Sequence, residues 1–151
     1  LPAIKDLGAG WRHSLAVAQD GTMWAWGSNG SGELGDGTRK QRLTPIQVPG
    51  LAGITAVTGG VSFTMARGAD GALWAWGLNE NGQLGDGSRV DHLSPVLVPG
   101  LAGINAIAAG WRHGLAVASD GSTWAWGSNG GGALGDGTTA ERSLTPVRVG
   151  P

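Results

Sequence analysis

The sequence contains no cysteine and no tyrosine, and it has a single phenylalanine among its 151 residues. Without cysteine, disulfide frameworks and thiolate nucleophiles are excluded. Ten basic and eleven acidic residues leave a net charge of -1, so no overall basic field attracts nucleic acid or an anionic membrane. No run reaches the roughly 18 apolar residues of a membrane-spanning helix. We therefore expect no nucleic-acid partner and no membrane association.

The first ten residues lack the basic start and the apolar middle of a signal peptide. The absence of cysteine suits either side of a membrane. The sequence therefore leaves the cellular compartment open.

Glycine and tryptophan are in excess, with 30 glycines and 8 tryptophans. A glycine inside a helix costs about 1 kcal/mol relative to alanine, so a chain this rich in glycine disfavours long helices. The composition predicts a β protein with many turns.

The chain is built on a repeat of fifty residues. Trp26, Trp76 and Trp126 recur at this spacing. The repeats are residues 1–50, 51–100 and 101–151, the third being one residue longer. They leave no residues for a linker or a second domain, and we expect the three to form one unit.

Four short apolar runs separated by glycine, aspartate and proline predict four strands in each repeat. In the second repeat, strands A, B, C and D are expected at residues 54–58, 63–67, 72–77 and 94–98. Proline at the start of strand D indicates that D is the outer edge of its sheet.

An Asp-Gly pair between strands B and C, first at residues 20 and 21, predicts a two-residue type I′ hairpin. This turn would pair Val17 with Trp24 and Leu15 with Trp26, giving each sheet a bulky face and a small face. In the second repeat it would place Arg67 opposite Trp74, where the guanidinium could stack on the indole.

A sheet that is bulky on one face and small on the other suits a β-propeller blade, which packs between two similar blades. We therefore predict an all-β fold of three four-stranded antiparallel blades, together one partial propeller. The residues expected on the bulky faces are Leu15, Val17, Trp24, Trp26, Trp74, Trp76, Leu115, Val117, Trp124 and Trp126. Those expected on the small faces are Ala16, Ala18, Ala116 and Ala118.

The first repeat contains AGWRHSLAVAQDGTMWAWGSNGSGELGDGT, and the other two carry close counterparts. The motifs G-x-x-H, D-G, W-x-W-G-x-N and G-x-L-G-D-G, at fixed offsets, resemble the regulator of chromosome condensation repeat family. The resemblance implies a propeller, seven-bladed in most members, that binds other macromolecules on a rim or face. Members include a nucleotide exchange factor for a nuclear small GTPase, a secreted inhibitor of β-lactamases and repeat domains of larger proteins.

The sequence departs from that family in three ways. It has three repeats and lacks the exchange factor's basic N-terminal tail, which argues against exchange activity. In the second repeat G-V-S-F-T replaces G-W-R-H-S, so the turn between strands A and B loses its tryptophan and its histidine.

Three blades in a row leave two unlike faces without neighbours. Because each resembles an internal contact, we expect head-to-tail association of identical chains. Two chains would make six blades and three would make nine, and six falls within the usual range of about 4 to 8. The alternative is a natural or engineered piece of a larger propeller.

No convergent catalytic or metal-binding set is evident, so we expect no enzyme activity, no cofactor and no metal. The G-x-G-x-x-G patterns beginning at Gly30 and Gly130 are not followed by a helix, as a dinucleotide site requires. His13 and His113, at the family's G-x-x-H position, are expected to form a structural hydrogen bond that anchors strand B. The recurring asparagines and aspartates between strands C and D are expected either to cap backbone amides or to adopt a left-handed conformation.

The turns between strands A and B and the loops between strands C and D should emerge on one face, here called the loop face. Exposed loops on a rigid scaffold commonly carry recognition, and Trp with Arg is frequent at binding hot spots. The candidate partner-binding residues are Trp11, Arg12, Trp111, Arg112, Arg39, Arg42, Arg89, His92 and Arg142. Alternatively, Trp11 and Trp111 pack under the loops or cap the central channel.

The leading hypothesis is a non-enzymatic scaffold that binds a protein partner through the loop face. Two alternatives stay open: a self-assembling structural fragment without a ligand, and a lectin-like glycan-binding propeller.

Overall fold

A computed structural model describes residues 1–150 and confirms the all-β prediction. Blade 1 contains β1 (Ile4–Ala9), β2 (His13–Ala18), β3 (Met23–Gly27) and β4 (Arg42–Gln47). Blade 2 contains β5 (Ile54–Gly59), β6 (Phe63–Gly68), β7 (Leu73–Gly77) and β8 (His92–Leu97). Blade 3 contains β9 (Ile104–Ala109), β10 (His113–Ala118), β11 (Thr123–Ser128) and β12 (Arg142–Arg148). One 3-10 turn occupies Gly130–Gly132, and no helix in the described range is long and apolar enough to cross a membrane.

Each blade is an antiparallel sheet whose strands follow chain order, so the fourth strand is an edge as predicted. Pro45, Pro95 and Pro146 lie within these edge strands, where a missing N–H interrupts no interior ladder. The pairing of β3 with β4 shifts register between Ala25 and Gly27, close to Pro45.

The hairpin between β2 and β3 differs from the predicted two-residue type I′ turn. Ala18 pairs with Thr22 through an amide-to-carbonyl bond of 2.9 Å, which leaves a three-residue loop from Gln19 to Gly21. Gly21 has a φ of 81°, whereas no other residue type in the described chain has a positive φ. A type I′ turn needs positive φ at both central residues, so that prediction is wrong.

The extra loop residue changes which side chains share a face. Leu15 pairs with Ala25 and Ala16 pairs with Trp24, instead of Leu15 with Trp26. Since a shift of one residue turns every side chain to the opposite face, the predicted bulky and small faces are wrong. Arg67 likewise pairs with Leu73 and not with Trp74, and its Nη1 donates to the carbonyl of Asn105 in blade 3 (2.9 Å).

Each blade therefore has two mixed faces. The leucine face of blade 1 consists of Leu15, Val17, Met23 and Ala25, and it packs against β5 and the tryptophan face of blade 2, which carries Ala66, Trp74 and Trp76. The corresponding leucine face of blade 2 packs against Ala116, Ala118, Trp124 and Trp126 of blade 3. Each interface thus combines large side chains with alanines from both blades, and no large side chain has to face only others of its size.

Candidate partner-binding face

The turns after the first strand of each blade and the loops after the third strand emerge side by side. The amide of Ser28 donates to the carbonyl of Arg12 (2.8 Å), and the amide of Ser128 donates to that of Arg112 (2.9 Å). The antiparallel strand order therefore creates the loop face that the sequence predicts.

Two exposed tryptophans lie on the loop face. Trp11 and Trp111 are 67% and 71% exposed. They border a hollow of about 430 Å³ whose remaining lining comes from Gly59, Gly60, Val61, Ala109 and Gly110. We call this the tryptophan hollow. Because both indoles are mostly in solvent, neither packs beneath the loops.

The tryptophan hollow exists because blade 2 carries valine where the other blades carry tryptophan. Val61 lies at the equivalent turn position between Trp11 and Trp111. Its smaller side chain leaves open the space that a third indole would fill. The loss of the tryptophan was visible in the sequence, but the resulting cavity was not.

Main-chain hydrogen bonds hold these turns together. The amide of Trp11 donates to the carbonyl of Gly60, and the amide of Val61 donates to the carbonyl of Trp111, both at 3.1 Å. The two tryptophans thus lie on turns of blades 1 and 3 that are both hydrogen-bonded to the turn of blade 2 between them, which limits the conformational entropy that a partner would have to remove on binding.

The two arginines beside the hollow have different surroundings. The Arg12 guanidinium lies 4.4 Å from the centre of the Trp11 ring, and no carboxylate among residues 1–150 forms a salt bridge with it. Arg112 instead pairs with Glu80, with 2.9 Å between Nη1 and Oε1. Arg12 is consequently the arginine beside the hollow whose charge no carboxylate of residues 1–150 neutralises.

Two further predicted residues, Arg39 and Arg89, lie in the long loops away from the hollow. Arg39 pairs with Asp91 (3.2 Å) and so connects the loops of blades 1 and 2. Arg89 donates through Nε to the carbonyl of Glu80 (2.7 Å). Both side chains are engaged in organising the loops.

Arg42 and His92 occupy equivalent positions opposite Gly27 and Gly77. Arg42 Nε donates to Oδ2 of Asp36 (2.8 Å), and His92 Nε2 lies 2.8 Å from Oδ2 of Asp86. Both side chains therefore brace their own loops.

Arg142 is not equivalent to that pair, because the extra residue in the third loop places Ser143 opposite Gly127. Arg142 contacts the exposed Glu141 instead (3.0 Å). The structure thus does not bring Arg39, Arg42, Arg89, His92 and Arg142 together with the tryptophan hollow as one cluster.

The recurring asparagines organise the long loops. Asn29 Oδ1 accepts from the amide of Leu34 (3.0 Å), and its Nδ2 donates to Asp36 (3.1 Å) and to the carbonyl of Lys40 (3.0 Å). The predicted amide-capping role is confirmed. Partial burial raises the pKa of Asp36, but hydrogen bonds from Thr38, Arg42 and Asn29 together hold that pKa below its usual value.

A network below the loop face joins blades 1 and 2, and we call it the latch. His13 Nε2 lies 2.9 Å from Thr64 Oγ1, which donates to the carbonyl of Glu33 (2.8 Å). Trp76 Nε1 donates to the same carbonyl (3.0 Å). His13 thus bonds the next blade, whereas the sequence predicted an anchor for its own strand.

The buried position of His13 explains the G-x-x-H motif. The His13 ring packs on Gly10, where any Cβ would overlap it. Burial lowers the pKa of His13 to about 4, so the ring is neutral near pH 7. In the part of the chain that the structure describes, no three side chains of the metal-ligating types are grouped.

Comparison with known proteins identifies the repeat. The sequence model described as "Regulator of chromosome condensation (RCC1) repeat" matches residues 20–67, 70–117 and 120–151. A second model of the same description matches residues 4–33, 54–83 and 104–133. The ultraviolet-B receptor UVR8 of Arabidopsis thaliana is 38% identical over 45 residues, which cover 30% of this chain and 10% of the receptor.

Solved structures agree with this fold. Human WBSCR16 superposes with a TM-score of 0.88 at 23% identity, over 99% of this chain and 38% of that protein. Prp20p of Saccharomyces cerevisiae, whose structure was described together with its binding to Gsp1p and histones, gives 0.85 at 22% identity, over 100% of this chain and 39% of that protein. The chain thus spans about two fifths of each of these propellers. Because the repeat matches extend over most of the sequence and the blades agree with them, the chain belongs to the regulator of chromosome condensation (RCC1) repeat family.

Proposed function

We propose that this chain is a non-enzymatic scaffold that binds a protein partner through the loop face. Trp11 and Trp111 hold an apolar side chain of the partner between them, and Arg12 pairs with a neighbouring carboxylate of the partner. The observation that carries the proposal is the tryptophan hollow itself, bordered by two mostly exposed indoles on hydrogen-bonded turns.

Exposed tryptophans on a rigid face suit a binding hot spot. An indole buries about 150–250 Å² when it is covered, and at about 25 cal/mol per Å² two of them contribute several kcal/mol. That gain offsets a substantial part of the roughly 4–15 kcal/mol that association costs. Arg12, which no carboxylate of residues 1–150 pairs with, adds the charge that selects the partner's orientation.

The family relationship supports a protein as the partner class. Prp20p is described as binding Gsp1p and histones. Those partners are properties of Prp20p, and the present chain spans 39% of it. What supports the present proposal is the class of partner, another protein.

A peptide selection tests the proposal. The purified chain is used to select from a random peptide library displayed on phage, and the affinity of each enriched peptide is then measured for the unmodified chain and for the Trp11→Ala/Trp111→Ala variant. We expect enriched peptides to combine an aromatic or large aliphatic residue with Asp or Glu. Each Trp→Ala change should weaken their binding at least tenfold, as at interface hot spots.

The matched control is Leu43→Ala, which removes an exposed apolar side chain from the outer strand β4. This variant should bind the selected peptides as the unmodified chain does. Peptides that bind equally well to the Trp11→Ala/Trp111→Ala variant would contradict the proposal.

Self-association is a second candidate function, and one specific observation favours it. Side chains on the leucine face of blade 3 and on the tryptophan face of blade 1, among them Leu115, Leu7 and Trp26, are left exposed or only partly buried by residues 1–150. Val117 is 36% exposed, whereas its counterpart Val17 is fully buried. We propose that identical chains join head to tail through these two faces, and two chains would give a six-bladed ring within the usual range of about 4 to 8 blades.

A further inference from the structure

We infer that the leucine face of blade 3 is a docking site for the tryptophan face of blade 1 of a second copy, and that docking rebuilds the latch between the two chains. His113 of one copy forms a hydrogen bond with Ser14 of the other. The carbonyl of Ala133 in the first copy accepts a hydrogen bond from Trp26 Nε1 of the second. This inference rests on the proposed self-association and specifies its contacts.

The two interfaces within the chain share one recurring bond. Trp76 Nε1 donates to the carbonyl of Glu33 (3.0 Å), and Trp126 Nε1 donates to the carbonyl of Gln83 (2.9 Å). Each bond runs from an indole to the loop of the preceding blade, and both indoles are fully buried. The equivalent acceptor in blade 3 is Ala133.

Each of these contacts has an unused counterpart at the open faces. Ala133 is exposed, and within residues 1–150 its carbonyl accepts no hydrogen bond. Trp26, the blade 1 counterpart of Trp76, is only partly buried, and its Nε1 donates to no atom of the described chain. Joining Trp26 to Ala133 would repeat the internal bond.

The histidine position supplies an independent argument, because its identity matches the residue it faces in the next blade. His13 faces Thr64, whose hydroxyl it bonds. In blade 2 the position holds Phe63, which has no hydrogen-bonding group, and the corresponding residue of blade 3 is Gly114, which has no hydroxyl. A histidine thus accompanies a hydroxyl, and a phenylalanine accompanies none.

Blade 3 again carries a histidine at this position. Within residues 1–150 the His113 ring forms no hydrogen bond. Of the three residues at the facing position, Ser14 of blade 1 lies on the one uncovered tryptophan face, and it has a hydroxyl. The pairing of hydrogen-bonding groups is therefore completed when blade 3 docks on blade 1 of another copy.

The apolar surface around these groups has the composition of the internal interfaces. Leu115 and Val117 correspond to Leu15 and Val17, which are fully buried against blade 2. On the opposite face, Leu7 of β1 is exposed beside Trp26, and both line the same shallow hollow. Covering these side chains supplies the driving force, and the latch supplies register.

Sedimentation equilibrium over a concentration series tests the docking surface. We expect the unmodified chain to associate as its concentration rises, so that the measured mass increases from that of one chain to that of two or more chains. Leu115→Glu places a charge on the docking surface and should keep the chain monomeric. The matched control Leu43→Glu places the same charge on an exposed leucine of β4 and should associate as the unmodified chain does.

Three conservative variants test the latch itself. Trp26→Phe removes the indole N–H together with the five-membered ring that carries it, and it should raise the dissociation constant at least tenfold, because the Ala133 carbonyl is then buried without a donor and some apolar contact is lost. Ser14→Ala should raise it about fivefold, and Ser14→Thr, which copies Thr64, should keep the original affinity. Trp11→Phe on the loop face is the control and should change nothing.

The outcomes separate the two claims. Association that is blocked by Leu115→Glu but indifferent to Trp26→Phe and Ser14→Ala would overturn the latch and leave self-association standing. A chain that stays monomeric at every concentration would overturn both.

Discussion

Trp76→Ala is expected to lower the free energy of unfolding by about 3–5 kcal/mol, the usual cost of removing a large aromatic side chain from a core. Trp76 is fully buried between blades 1 and 2, and its Nε1 donates to the Glu33 carbonyl (3.0 Å). A domain of this size has a total stability of about 5–15 kcal/mol. The variant should therefore unfold at a much lower urea concentration, as measured by tryptophan fluorescence.

Trp26→Ala is the matched control, since Trp26 holds the same place in blade 1 but is only partly buried. At a protein concentration where the chain is monomeric, this variant should lose less than about 2 kcal/mol, in proportion to the smaller area that Trp26 buries. Equal losses for the two variants would show that burial between blades is not the source of the effect.

Acidification from pH 6.5 to pH 4 is expected to destabilise the protein by about 3 kcal/mol through His13. Burial lowers the pKa of His13 from 6.5 to about 4. Between these values the unfolded chain binds a proton that the folded chain does not, so stability falls as the pH falls. The contribution fades above pH 6.5 and is absent about one unit higher, where the ring is neutral in both states.

His13→Phe should remove most of this acid sensitivity, and Phe63 shows that a phenyl ring fits the equivalent site in blade 2. The Thr64 hydroxyl still donates to the Glu33 carbonyl in this variant. In this variant the free energy of unfolding should still fall slightly as the pH falls, because partial burial also lowers the pKa of His113. Urea denaturation at several pH values measures the difference, and equal slopes for both proteins would contradict the role of His13.

The repeat and its strands were predictable because the period of fifty residues marks every strand three times. The register was not, because an Asp-Gly pair is compatible with both a two-residue and a three-residue loop. Gly21 adopts a positive φ in either case, and only the conformation of Asp20 separates them. One additional loop residue was enough to move Trp24 and Trp26 to the face opposite Leu15.

The latch was harder to predict, because it joins residues of different blades. His13 and Thr64 are separated by 51 residues, and they meet only when two sheets stack. The sequence does contain a signal, because the residue types at the two facing positions match. His13 of blade 1 faces the hydroxyl of Thr64 in blade 2, whereas Phe63 of blade 2 faces Gly114 of blade 3, which has no hydroxyl. Recognising that signal requires knowing which strands face each other, and the wrong register concealed it.

The tryptophan hollow was predicted in part. Trp11, Arg12, Trp111 and Arg112 were identified as one surface from the strand order alone. The contribution of Val61 was missed, because a valine at a turn is informative only when its neighbours are known to be exposed indoles. The loop arginines were predicted at the same site, but they bind groups of the long loops instead, and Arg39 joins the loops of blades 1 and 2.

The most direct test of the loop-face account is to measure, on one Trp111→Ala/Arg112→Ala variant, both its affinity for the selected peptides and its melting temperature. Trp111 is 71% exposed and Arg112 forms an exposed pair with Glu80, so neither change removes core packing. The account predicts peptide binding weakened at least tenfold with an unchanged melting temperature. A large fall in melting temperature with unchanged peptide affinity would contradict it.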